Sequence, residues 1–248
     1  MTQNRASVWI PYCGPAPGPA EWLGHWNFDP VLLIAIAGAA TLLWRVTGQP
    51  SERRLAGAAV VLGLLLFVSP FCALSSALFS IRVTHHVLIA AALAPLIVYA
   101  LPERRLTLPG SLGLWTALQT LTFWLWHAPV LYAEALSSIP VYWLMQLTLL
   151  GTAIGFWAAL RRASAAAAIA ALLFSTVQMG LLGGLILFSP TALYAPHYLT
   201  TVLWGFSVLE DQQLAGLIMW VPSAGLYLGA ALYLASRWFA REDRGSTL

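Results

Sequence analysis

IRVTHHVLIAAALAPLIVYALP, Ile81 to Pro102, sets two adjacent histidines at the head of an apolar run that meets no charge between His86 and Glu103. As a helix rising about 1.5 Å per residue, such a run approaches the roughly 30 Å of a bilayer's hydrocarbon core. Imidazole is costly to bury in hydrocarbon, so a membrane span that opens on His85 and His86 needs a reason for them. The rest of the chain is read outward from that demand.

Composition agrees with a bilayer. The 248 residues are 60% hydrophobic and 8% charged, with 12 tryptophans, whereas soluble domains carry about 25% charged residues. All the basic residues are arginines, for a net charge of +3. They fall in separate connections and make no continuous basic face, which argues against nucleic acid as a partner. Lipid is the expected environment.

Seven runs are long enough, or nearly so, to span as helices: Pro30–Val46, Leu55–Leu78, His86–Leu101, Leu112–Leu136, Pro140–Leu160, Ala165–Phe188 and Gln213–Trp238. The third is short and is expected to begin nearer Arg82. Asp29-Pro30 offers an N-cap followed by proline in the first turn, and Ser138 stands ahead of Pro140. The first 28 residues are polar and proline-rich, without the apolar core of a cleavable signal. Arginines fall in every second connection: Arg45, Arg53 and Arg54, then Arg104 and Arg105, then Arg161 and Arg162, then Arg237, Arg241 and Arg244. The positive-inside rule therefore gives an N-terminus outside and a C-terminus in the cytoplasm. The expected architecture is an all-α, polytopic seven-helix bundle in the cell inner membrane, with residues 1–29 as an outer tail, 30–239 as the bundle and 240–248 as a cytoplasmic tail.

On that map all five histidines and both cysteines belong to the outer half. His127 lies fifteen residues past Leu112, roughly 22 Å along an outward-running helix. Pro129 leaves the Leu125 carbonyl without its usual helical donor. His25, His85 and His197 read as interfacial side chains hydrogen-bonded to headgroups or carbonyls. Cys72 reads as a small buried hydrophobe, a soft ligand, or half of a disulfide with Cys13 in an oxidising compartment. Imidazole with sulfur suits Cu(I). A bis-histidine heme would need two histidines at similar depth on facing helices, and His86 with His127 is the pair to offer.

The segment SVLEDQQLAGLIMWVPSAGLYL, Ser207–Leu228, sets Glu210 and Asp211 at a helix start, where the dipole favours negative charge. Ala215 and Gly216 permit close helix contact, Met219 lies deeper, and Pro222 is expected to kink the span. A capped helix explains the acids but has no use for the doubled glutamine.

DQQLAGLIMWVP at Asp211–Pro222, WLWHAPVLY at Trp124–Tyr132, and the histidine-bearing third span followed by Ala94-Pro95-Leu96 resemble the CtaG-type assembly factors of heme-copper cytochrome oxidases, the seven-helix integral family. PYCGPAP at Pro11–Pro17 and WNFDP at Trp26–Pro30 are similar to a short branch of it. The resemblance implies a non-enzymatic role in building a terminal oxidase, with oxidase subunits as partners and copper delivery as the task. It matches His86 and His127 to family histidines, and Asp211, Gln212, Gln213, Met219 and Trp220 to the last motif. Arg82 and Val83 stand where many members carry a His-Met pair, and no histidine stands near Gln146, where members often have one.

The leading expectation is therefore a Cu(I) site of His86, His127, Cys72 and Met219, with Asp211 orienting an imidazole and Gln212, Gln213, Trp220 and His85 around it. Two other readings stay open: a metal-free accessory subunit or scaffold of an oxidase, and a bis-histidine heme protein. A homo-oligomer also remains open.

Overall fold

The computed structural model describes residues 11–245, with side chains through residue 240. Arg241, Arg244 and the end of the expected C-terminal tail, and the first ten residues of the N-terminal tail, lie outside the described backbone or side chains. Among the described residues there is no strand.

Each helix starts and stops where local chemistry directs it. Helix α1, Pro30–Val46, is capped by Asp29, whose carboxylate accepts from Val31 N at 2.8 Å, with Pro30 in the first turn. Helix α2, Pro50–Phe67, opens on a capping box in which Glu52 accepts from Gln49 N at 3.1 Å. Ser69-Pro70 ends it and starts α3, Pro70–Ala77, after a 46° bend.

Helices α4, Phe79–Leu88, and α5, Ala94–Ala100, are joined by a π turn over Ile89–Leu93 into one span, Phe79–Ala100. Pro95 is the cause. In π register the Ala90 carbonyl would look to residue 95 for an N–H that proline lacks. Trp157 supplies it instead, donating through Nε1 at 2.8 Å.

Helix α6, Leu112–Trp126, stops at His127, and α7, Pro129–Ser137, restarts after Ala128. Then come α8, Ile139–Arg162, α9, Ala165–Leu187, and α10, Val208–Gly245, which runs through Pro222 without a break. The helix thus continues past residue 240 into the expected tail.

Among the described residues four helices are long and apolar enough to cross a membrane, five when the bent α2–α3 pair counts as one span. Of the seven expected runs, Pro30–Val46 is a 17-residue apolar helix and Leu112–Leu136 is divided at His127, so neither reaches that length alone. Leu121, Leu147, Val177 and Leu185 stand exposed, as suits side chains in contact with lipid. The third span starts at Phe79 rather than near Arg82, which puts His85 and His86 two turns inside a helix instead of at its lip.

The α9–α10 pair has the most extensive contact in the molecule. A Cβ on Gly216 would lie 2.6 Å from Leu187 N, and one on Gly183 would lie 2.8 Å from the Gly216 carbonyl. Only glycine allows these backbones so close. Beside that seam, α4 packs on α10, and the π turn and α5 pack on α8. The interior between them holds the polar side chains.

Candidate functional site

His86 and His127 are brought together. Their rings meet edge to face with centroids 5.3 Å apart, and both side chains are buried. His127 Nδ1 lies 2.7 Å from the Phe123 carbonyl. A carbonyl only accepts, so Nδ1 carries the proton and Nε2 presents its lone pair. That Nε2, and both ring nitrogens of His86, have no hydrogen-bond partner among the described residues. Unpartnered imidazole nitrogens can serve as ligands to a soft ion, and burying them without partners is costly.

His85 turns to a carbonyl inside the protein rather than to headgroups. It is fully buried, and its Nε2 lies 3.1 Å from the Leu66 carbonyl. That carbonyl would ordinarily accept from residue 70, which is proline, so His85 repairs the break in α2. Its ring stands 6.0 Å from His86. His197 is buried as well and takes the carbonyl partner of the expected pair of options, not a headgroup: it donates from Nδ1 to the Ala77 carbonyl at 3.3 Å and accepts from the Tyr132 hydroxyl at 2.6 Å. Burial, and after it the Arg82 charge, holds its pKa well below the ordinary histidine range. His25 is half-buried at the end of a short 3-10 turn, Trp22–Gly24, away from these rings.

Cys72 is bonded to Cys13, so in this state it offers no thiolate and the expected sulfur ligand is withdrawn. The bond ties the N-terminal segment onto the bundle. Tyr12 stacks on Tyr142 at 5.1 Å and meets Trp143 edge-on at 5.0 Å, while its hydroxyl donates to Asp29 at 2.6 Å.

Asp211 does not orient an imidazole. Its carboxylate accepts from Phe79 N at 2.6 Å, Ser80 N at 3.2 Å and the Ser80 hydroxyl, capping α4 from another helix. Gln212 accepts from Leu193 N at 2.7 Å and donates to the Thr191 and Ile186 carbonyls, fastening the α9–α10 connection. Gln213 is half-buried beside it. Trp220 lies against Gly180 and Phe188 on the lipid-facing side. Met219 is fully buried in the apolar core of α10, on the helix that packs against α4. Among the described residues no three of His, Cys, Asp and Glu converge on one point.

Three features escaped the sequence reading. Arg82 is completely buried, its three guanidinium nitrogens have no partner among the described residues, and its Cζ lies 5.4 Å from the Tyr142 ring centroid. Gln146, one turn after Tyr142 on α8, is buried with both amide atoms unpartnered. The Tyr132–His197 pair is the third. An arginine inside an apolar run was the visible signal for the first of them.

A family model for the cytochrome c oxidase caa3 assembly factor, Caa3_CtaG, matches residues 35–241. The chain belongs to that family. A search of curated proteins and a search of solved structures each found no match. Membership gives assembly of a cytochrome c oxidase as the family's role, and the match covers His86 on α4, His127 at the end of α6, and Asp211 on α10.

Proposed function

We propose that this assembly factor holds Cu(I) between His86 and His127 and passes it by ligand exchange to the oxidase it serves. The observation that supports this is the pair itself: two buried rings with centroids 5.3 Å apart, whose His86 nitrogens and His127 Nε2 have no partner among the described residues. In this reading His127 binds through Nε2, fixed by its Nδ1 bond to Phe123, and His86 turns either nitrogen to the ion. Two imidazoles and no thiolate make a weak seat, which suits an ion that must leave. No electron is transferred, and the protein acts as carrier rather than enzyme. We place the chain in the inner membrane with seven crossings, α6 with α7 and the short α1 included, the N-terminus outside, and the histidine end facing the exterior. The arginine alternation supports that orientation: Arg161 donates to the Val98 and Leu101 carbonyls at the end of α5 opposite His85 and His86.

A metal-free scaffold is the second reading, favoured by the lack of a third converging ligand among the described residues. A heme between the two rings would have to part α4 from α6, so it ranks below both. Purified protein loaded with Cu(I) under reducing conditions and passed through a desalting column separates them. The wild type is expected to retain about one Cu(I) per chain, and His86→Ala with His127→Ala is expected to retain none. Equal retention in both, or none in either, removes the copper seat, and a Soret band would revive heme.

A further inference from the structure

Arg82 poses a charge-balance problem that copper does not solve. Its guanidinium is entirely buried, and among the described residues Nε, Nη1 and Nη2 have no hydrogen-bond partner. A buried charge is retained only when something of opposite sign answers it. The chain has nine acidic residues and none lies among the first ten. Asp29, Glu52, Glu210 and Asp211 are each committed to a helix start, and Glu103 faces Arg161. Glu134 is exposed, Glu21 closes a turn with Gly18, and Glu242 and Asp243 belong to the far end of α10. The only ion pair among the described residues is Arg161–Glu103. Asp211, on α10, caps the start of α4 through bonds from Phe79 and Ser80; it keeps its charge but makes no direct ion pair with the guanidinium.

The neighbours of Arg82 extend the pattern. Gln146, beside Tyr142 on α8, has both its amide donor and its amide acceptor unpartnered among the described residues. Tyr142, whose ring lies under the guanidinium, is on the same helix face one turn earlier. The guanidinium and the Gln146 amide thus gather beside neutral phenol oxygens, with no carboxylate in direct contact among the described residues. Arg82 is fully buried, and on the side of Tyr142 it is covered by Tyr12, whose segment the Cys13–Cys72 bond holds down. A bulky phosphate ester could not enter without displacing it.

From this we infer an anion site: Arg82, with Gln146 beside it, binds a small monoanion, either a halide or a formate-sized carboxylate, in the interior of the bundle. The planar fork suits a carboxylate's two oxygens, and chloride is the smallest abundant alternative. The site does not depend on copper binding to His86 and His127.

The test is thermal unfolding of the full chain in lipid nanodiscs at one ionic strength, with chloride, formate or gluconate as the sole anion. Chloride, formate or both should raise the midpoint of the wild type saturably, by about 5–10 °C well above Kd, and gluconate should not. Which of the two acts identifies the source. Arg82→Met should lose that dependence, and Arg162→Met, at the surface, should keep it. Equal midpoints in all three salts, or dependence surviving in Arg82→Met, would overturn the site and leave a hydrated arginine. If Arg82→Met does not fold, chlorine-35 NMR on the wild type decides. Line broadening relieved by formate or bromide supports the site, and broadening no greater than in empty nanodiscs overturns it. Copper retention, measured separately, is expected to be unaffected by the choice of anion.

Discussion

Two interiors lie side by side in this bundle and are built on opposite terms. Between α9 and α10, Gly183 and Gly216 bring backbones into contact and Gln212 satisfies the carbonyls of the connection. Little is left unpaired there. Around α4, by contrast, Arg82, His86, His127 and Gln146 keep buried polar atoms without partners. The first interior holds the helices together; the second keeps binding capacity at a cost in stability. The comparison reassigns the two conspicuous motifs. The Asp-Gln-Gln of α10 belongs to the structural interior, whereas the histidine of α4 belongs to the chemical one.

The sharpest way to break that distinction is to substitute one position in each. Gly216→Leu must push a side chain against Leu187 N and the Gly183 carbonyl, backbone atoms that cannot step aside. A loss of about 3 kcal/mol or more is expected, read as a lowered unfolding midpoint in detergent or a failure to accumulate. His86→Leu, of similar bulk, removes unpartnered nitrogens and should leave stability unchanged or raise it by about 1 kcal/mol. If the two variants lose stability equally, the division is false.

Asp211 joins the interiors, since it stands on α10 and caps α4. Asp211→Ala should cost about 2–3 kcal/mol through three lost hydrogen bonds to a charged acceptor. The α4 amides of Phe79 and Ser80 should then exchange with deuterium faster than those of α8. Unchanged protection at these two positions would mean that the cap is not what starts the helix.

How much of this could be read from the sequence follows from the range of each interaction. Asp29-Pro30 announces the start of α1 because cap and helix are adjacent in the chain. Pro129 likewise announces the interruption after His127. The role of Asp211 could not be read, because its partners lie 131 and 132 residues away. The partner of His85 was not legible for a related reason. Pro70 does leave the Leu66 carbonyl in need of a donor, but nothing local says which side chain will supply it. Cys72 was legible only as alternatives, since closure with Cys13 depends on how the N-terminal segment folds back. Bringing His86 next to His127 required only two facing helices of similar depth, and the sequence reading had paired them.

The smallest effect concerns the lid over the chemical interior. Tyr12 and Val31 N both donate to the Asp29 carboxylate, in that order of influence, and hold its pKa below the ordinary aspartate value. In the unfolded chain that depression is absent, so the folded state binds fewer protons near pH 4. The contribution to docking of the N-terminal segment is therefore fully present above the ordinary aspartate range and is lost as pH falls through the lowered folded value. The chain has only three aspartates, Asp29, Asp211 and Asp243, so carboxyl carbon-13 labelling of aspartate resolves the titration directly. Tyr12→Phe removes the leading donor and should move the Asp29 midpoint upward while leaving Asp211 in place. It should also loosen the stack on Tyr142 only slightly, because the ring and the disulfide remain. An Asp29 midpoint unmoved by Tyr12→Phe would show that the helix N-terminus alone sets it, and that the tyrosine hydroxyl takes no part in closing the lid.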